Sequence, residues 1–327
     1  MNKRKRAKEI ASAVLILILL ITMLYSGLQI LESTVFRTGG AEEGFVSRTI
    51  TRDGVNYYPR QDITVVMLLG IDQYGPVTKS QGYINPGSAD MATLLIFDEK
   101  NETCTIVQLN RDTMLEMPVL GIGGKTAGTY FGQLALSHTY GSGLEDSCEN
   151  TRKTISSFLY GIRIDYYLAM NMDAIAILND AVGGVTVDVT DDFSLVDPTI
   201  TAGRMTLRGE QAIHFVRTRK DVGDQLNLSR IDRQKEYMNN FLEAFLTKYD
   251  SDPKFALSTY DAVSPYIVSD CSSTTISSMV ERYGDYALVE VVTPAGKNVM
   301  GEEYFEFYVD EEQLDKLILR LFYTAKE

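Results

Sequence analysis

Three short apolar runs rich in β-branched residues constrain the fold of this chain most: "DITVVMLLGID" (62–72), "DMATLLIFD" (90–98) and "TCTIVQLN" (103–110). None alternates apolar with polar residues, so each reads as a strand covered on both faces. A sheet with two buried faces needs a layer on each side. Helical segments follow to supply them: "EDSCENTRKTISSFLYG", with acids in its first turn and Gly161 at its end, then "MDAIAILNDAVGG", "RGEQAIHFVR" and a long amphipathic stretch from Arg230 to about Lys248. "IDYYLAMN" and "VTVDV" read as further strands, as do segments near 287–292 and 304–309, and a last helix begins at Asp310. The apolar, aromatic-rich stretch "TYFGQLALSHTY" reads as helix. The expected class is α/β, a central mixed β-sheet sandwiched by α-helices.

The amino terminus sets the compartment. Lys3, Arg4, Lys5, Arg6 and Lys8 precede an uncharged run from Ile10 to Ile30, long enough to span a bilayer. The positive flank stays in the cytoplasm under the positive-inside rule. The expected organisation is a basic cytoplasmic tail over 1–9, a transmembrane signal-anchor helix over 10–31, a linker over 32–60 and an extracytoplasmic domain over 61–327. The expected location is thus the cell membrane, with a single pass. Cys104, Cys148 and Cys271 match no zinc or CxxC spacing and read as buried apolar side chains.

The net charge is −13, which disfavours a general polyanion binder and nucleic acid as a partner. Against that background, "HFVRTRKDVGDQLNLSRIDRQ" (214–234) collects Arg217, Arg219, Lys220, Arg230 and Arg233. Arg217 falls in the last turn of one helix, and Arg230 and Arg233 lie a turn apart on the next. Surface pairing with Asp221, Asp224 and Asp232 is the plain alternative. In the front half, Asp72 follows the first strand, Asp90 opens the second, and Arg111 with Asp112 ends the third. If these strands are neighbours, the acids and the guanidinium meet at one end of the sheet, where open α/β folds bind ligands. Turn capping by Asp72 and Asp90 is the other reading. Carboxylates with arginines opposite suit a pyrophosphate bridged by Mg2+. His138 and His214 have no nearby nucleophile motif and read as structural.

The ordered series "VVMLLGID", "ADMATLLIF", "IVQLNRDTML", "LALSHTYGSG", "LNDAVGGVTVDV", "LRGEQAIHFVRTR" and "RIDRQ" resembles the motifs of the LytR-CpsA-Psr family across most of residues 62–245. The resemblance implies an Mg-dependent phosphotransferase that moves a glycopolymer, such as teichoic acid or capsular polysaccharide, from a polyprenyl-pyrophosphate carrier to a peptidoglycan acceptor. It makes Asp72 and Asp90 the magnesium acids, with Asp112 beside them. Arg111, Arg217, Arg219, Arg230 and Gln234 would hold the pyrophosphate, with Arg233 as a support. The chain departs from the family pattern at Ser88, where an Arg is usual, and at Asn110, Gln133 and Ala135. Two cations are thereby missing, for which Lys125 is a candidate substitute. A non-catalytic scaffold that binds the lipid pyrophosphate is the alternative function.

Overall fold

The computed structural model describes residues 49–326 apart from 122–123, 219–221, 223–226, 253, 272–274, 276–277, 280–281 and 303. The expected tail and membrane helix lie outside the described residues. Among those described, no helix is long and apolar enough to cross a membrane.

Strands β1 (Ile50–Arg52) and β2 (Val55–Pro59) form a hairpin inside the segment expected to be linker, so the folded region starts earlier than residue 61. The turn is Asp53-Gly54, both at positive φ, the backbone that two-residue hairpins require. Polar composition concealed this Asp-Gly turn in the sequence.

The central sheet starts with a meander of β3 (Ile63–Ile71), β4 (Ala89–Asp98) and β5 (Thr103–Leu109), all antiparallel. After β5 come a hairpin of β6 (Met114–Leu120) and β7 (Thr126–Gln133), a 3-10 turn over Leu134–His138, and helix α1 (Glu145–Phe158). The stretch expected as helix from Thr129 is therefore the end of a strand followed by a 3-10 turn. Its Thr, Tyr and Phe side chains suit the pleated surface. Strand β8 (Tyr166–Asn171) lies parallel to β3 and leads into α2 (Met172–Ala181), whose N-cap Asn171 accepts from the Ala174 amide.

A small pair, β9 (Val185–Val189) and β10 (Gly203–Leu207), precedes α3 (Glu210–Arg217), α4 (Asn227–Ser251) and α5 (Lys254–Val263). Strand β11 (Ile267–Ser269) joins β8, and β12 (Ala287–Val292) joins β5 in parallel. The sheet is thus mixed, with order β11-β8-β3-β4-β5-β12. A second hairpin, β13 (Gly296–Met300) and β14 (Phe305–Val309), leads to α6 (Glu311–Phe322). The last strand, β15 (Tyr323–Lys326), pairs with β2 and closes the amino-terminal hairpin.

Alternation along the strands divides the interior in two. Val66, Leu68, Leu95, Phe97 and Ile106 face one cluster, which α3 and α4 complete with Phe215, Tyr237, Phe241 and Phe245. Val65, Met67, Leu69, Leu94 and Ile96 face the other, completed by Ile155 of α1 and Leu314 and Ile318 of α6. Both faces are buried, which is why the strand sequences are apolar without interruption. All three cysteines are unpaired. Burial pushes the Cys104 and Cys271 thiols up to about 12, so neither is a ready thiolate.

Candidate functional site

The meander brings Asp72, Asp90 and Arg111 to one end of the sheet, as strand-neighbour geometry requires. Gly70 pairs with Met91 and Ile71 with Ala89, so Asp90 is left over as a bulge. A bulge re-aims the extra side chain, here out of the ladder. Gly70 permits it: a Cβ there would lie 3.0 Å from the Met91 Cβ. The Ser88 carbonyl accepts from the amides of both Asp72 (2.9 Å) and Asp90 (3.1 Å), tying the two acids to one atom.

Each acid holds an arginine. Arg217, in the last turn of α3, donates through Nη2 to both Asp72 oxygens at 2.8 and 2.7 Å, and through Nη1 to the Tyr74 hydroxyl at 3.3 Å. Arg111 Nη1 pairs with Asp90 Oδ1 at 2.5 Å, and Ser88 Oγ donates to the same oxygen at 2.8 Å. The Arg111 and Arg217 side chains keep 38% and 42% of their surface exposed, so a ligand in solvent can reach them. Exposed pairs of this kind are worth about 0–1 kcal/mol. They orient the guanidinium groups yet yield readily to a stronger anion.

The loops carrying these residues are pinned by two buried polar groups, His138, expected to be structural, and Asn85, which sequence reasoning missed. Asn85 Nδ2 donates to the carbonyls of His138 (2.8 Å) and Gly141 (3.2 Å), while its Oδ1 accepts from the Gly87 amide. His138 Nδ1 lies 2.7 Å from the Gly87 carbonyl, which only accepts, so Nδ1 carries the proton. Asn85 and His138 thus fix the turn that presents Ser88. On the neighbouring loop, the Gly75 amide donates to Asp173 Oδ2 at 2.5 Å and the Met172 amide to the Gln73 carbonyl at 3.1 Å, fastening Asp72 to Tyr74 against α2. Asn110, where the family has proline, accepts from the Asp112 amide at 3.0 Å and builds the turn itself.

Several expected site residues stand elsewhere. Arg233 is buried and does not face a phosphate site. Its Nε donates to the Phe215 carbonyl at 3.0 Å, its other nitrogens bond Asp191 and the Thr218 carbonyl, and its guanidinium lies 5.4 Å from the Phe193 ring centre. Gln234 donates to the Val216 carbonyl at 2.9 Å. Both therefore hold the end of α3 that carries Arg217, because the face of α4 they occupy packs onto α3. Asp112 accepts from Gln133 Nε2 (3.1 Å) and pairs with Arg111 Nε (3.4 Å). Among the described residues no three His, Cys, Asp or Glu side chains converge as a metal set, and Asp112 is engaged by Gln133 and Arg111. Asp72 and Asp90 alone still fit magnesium, which commonly takes one or two carboxylates and completes its shell with substrate phosphate and water. Arg219 lies outside the described residues, and of Arg230 only the helix backbone is described. Lys125 precedes β7, whose eight residues put it about 25 Å from Gln133, too far to replace the cation missing at that position.

Comparison with known proteins now decides the family. A sequence model described as the LytR_cpsA_psr family matches residues 34–322. The chain belongs to the LytR_cpsA_psr family. Over 185 residues it is 30% identical to the polyisoprenyl-teichoic acid–peptidoglycan teichoic acid transferase TagV of Bacillus subtilis (strain 168), covering 54% of this chain and 42% of that protein. Over 182 residues it is 28% identical to the transferase of the same description named TagU from Enterococcus faecalis (strain ATCC 700802 / V583), covering 56% and 54%. The chain thus spans about half the length of these curated relatives. Its fold resembles protein gbs0355 from Streptococcus agalactiae, with a TM-score of 0.63, 22% identity and coverage of 80% of this chain and 86% of that one. It also resembles TagT bound to LI-WTA, with a TM-score of 0.56, 22% identity and coverage of 80% and 90%.

Two predictions follow from the site's supports. Burial holds His138 below the ordinary histidine value, opposed by the Gly87 carbonyl and the Asp146 charge. The unfolded chain then takes up this proton before the folded one. Unfolding free energy should be full above about pH 6.5 and fall below it, by at most about 1.4 kcal/mol per pH unit. Asp165 and Asp270, which burial raises, act with opposite sign but are common to wild type and variant. Urea titrations at pH 7.5 and 5.5 should show a smaller loss on acidification in His138→Asn than in wild type; equal losses would contradict the assignment. Arg233→Met should cost about 3–4 kcal/mol, the lower part of the range for breaking a buried pair because Asp191 keeps some exposure. Pyrophosphate affinity of the folded variant, measured by calorimetry, should fall less than twofold; a tenfold loss would return Arg233 to the binding set.

Proposed function

We propose that this protein is a membrane-anchored phosphotransferase that moves a glycopolymer from a polyprenyl-pyrophosphate carrier to peptidoglycan. The observation that carries the reading is the double arginine–carboxylate edge, Arg217 on Asp72 and Arg111 on Asp90, at the end of a family-matched sheet. Relatives named as teichoic acid transferases of the same family support the substrate class.

In this reading the two guanidinium forks turn from carboxylate to phosphate oxygens, which match their geometry and carry more charge. Tyr74 keeps Arg217 aimed while it changes partners, and Ser88 does the same for Asp90. Arg219 and Arg230, which follow Arg217 within thirteen residues of sequence, would add positive charge to the cradle. The acceptor hydroxyl oxygen attacks the phosphorus that bears the glycan. The bond from that phosphorus to the bridging oxygen breaks, and polyprenyl phosphate leaves with the proton. Bound magnesium would supply further charge neutralisation, with Asp72 and Asp90 as its protein ligands. The protein's share is positioning and preorganised charge, the usual source of phosphoryl-transfer catalysis. Residues 10–31 would anchor the chain in the cell membrane, with 1–9 in the cytoplasm and the α/β domain outside.

Full-length protein supplied with lipid-pyrophosphate-linked glycan, magnesium and peptidoglycan should form the linkage. Arg217→Ala should lower that rate roughly 100-fold or more, and Arg217→Lys should recover only part, lacking the planar fork. An unimpaired Arg217→Ala enzyme refutes the assignment. For the anchor, protease added to intact cells stripped of their wall should digest the domain and spare an epitope placed at the amino terminus. Digestion of the epitope would reverse the orientation.

A further inference from the structure

We propose that the hairpins β6–β7 and β13–β14 form a glycan-binding platform that seats the acceptor strand beside the arginine–carboxylate edge. The inference rests on the transferase reading for the identity of the strand, but on its own observations for the surface. Large apolar side chains are unusually exposed here: Phe131 at 57%, Met300 at 61%, Tyr304 at 68% and Phe305 at 55%. A patch of this kind on a small hairpin costs solubility and marks a contact surface.

The two hairpins are one body with the site. Gln133 Nε2 donates to the Phe305 carbonyl at 2.8 Å and to Asp112 Oδ1 at 3.1 Å. The Phe307 amide donates to the Asp112 carbonyl at 2.8 Å, and Thr113 bridges to Phe307. Gln133 lies two residues along β7 from Phe131, on the same face, so Phe131 and the Phe305 backbone flank a single amide. Arg111 precedes Asp112 directly, so a strand lying on the hairpins ends next to a phosphate-facing guanidinium.

The chemistry selects a sugar over a lipid surface. The C–H face of a pyranose is weakly positive and stacks on the negative face of an aromatic ring. Its hydroxyls need acceptors and donors nearby, and Glu116 stands opposite Phe131 in the ladder, on the same face. Residues 296–309 carry Lys297 against Glu302, Glu303 and Glu306, a balance that anionic headgroups repel. The surface is also firm: Gly132 leaves room for the Tyr130 ring, since a Cβ there would fall 2.3 Å from that ring's edge, and Tyr130 packs 5.9 Å from Tyr140. A rigid aromatic surface loses little entropy on binding.

The test uses full-length protein in detergent and insoluble sacculi stripped of attached polymer, with no lipid donor present. Wild type should co-sediment, and the double variant Phe131→Ala/Phe305→Ala should bind at least tenfold more weakly while keeping its affinity for inorganic pyrophosphate within twofold. Equal sedimentation of the two proteins, or none by wild type, overturns the platform. In a second arm, hydrogen exchange is followed in nanodiscs over residues 126–133 and 296–309. Glycan strands freed from sacculi by an endopeptidase should slow exchange there; protection by the bilayer alone, unchanged by glycan, would make the surface a membrane contact and overturn the proposal. Absence of pyrophosphate binding in wild type would instead count against the transferase reading, with the sacculus result standing apart.

Discussion

The β3–β4 ladder keeps one register from Ile63 against Asp98 to Gly70 against Met91, then slips by a residue so that Ile71 meets Ala89. That slip frees Asp90 from the pleat and lets the Ser88 carbonyl reach the amides of both site acids. A side chain at Gly70 would press on the Met91 Cβ at 3.0 Å, so glycine eases the close approach of the two strands there. Every later feature of the site is measured from this bulge: Arg111 arrives from the adjacent strand, and Arg217 from the helix layer over one face. The buried Asn85 and His138 matter because they hold the turn that completes the slip. A buried polar network is costly unless fully bonded, and here nearly every bond it makes ends on the backbone of a site loop.

The energetics of the two arginine pairs suit binding better than stability. Each is half-exposed, so neither contributes much to folding. What they supply is orientation, with two guanidinium groups held over two carboxylates in the absence of a stronger anion. A pyrophosphate carries more charge and more acceptor oxygens than either acid, so exchange of partners favours the ligand. By contrast, the Arg233–Asp191 pair is deeply placed and bonded to two carbonyls, and it belongs to the scaffold. Burial separates these roles among arginines of one sequence segment.

The main strands were legible because both their faces are buried, which leaves an uninterrupted apolar pattern. Asp72, Asp90, Arg111 and Arg217 were legible as charges at the ends of those elements. Arg233 is the support expected of it, whereas Gln234 was misplaced because spacing on α4 says which residues share a face, but not that this face meets the end of α3. The β6–β7 hairpin was hidden by Phe131, Leu134 and Ala135, whose i, i+3, i+4 spacing mimics a helix across "TYFGQLALSHTY" although it runs from a strand into a 3-10 turn. Asn85 left no trace, since a lone polar residue has no periodicity, and His138 was legible as structural but not as the partner of the Gly87 carbonyl. Asn171, just before an apolar helix, carried a capping pattern, and its Nδ2 also donates to the Gly75 carbonyl of the Asp72 loop.

The central claim is that Asp72 occupies Arg217 until a pyrophosphate displaces it. Calorimetric titration of inorganic pyrophosphate into metal-free protein, wild type against Asp72→Asn, tests this most directly. Removing the competing carboxylate charge should tighten binding severalfold, up to about fivefold for a pair worth roughly 1 kcal/mol. Unchanged or weaker binding by Asp72→Asn would contradict the exchange.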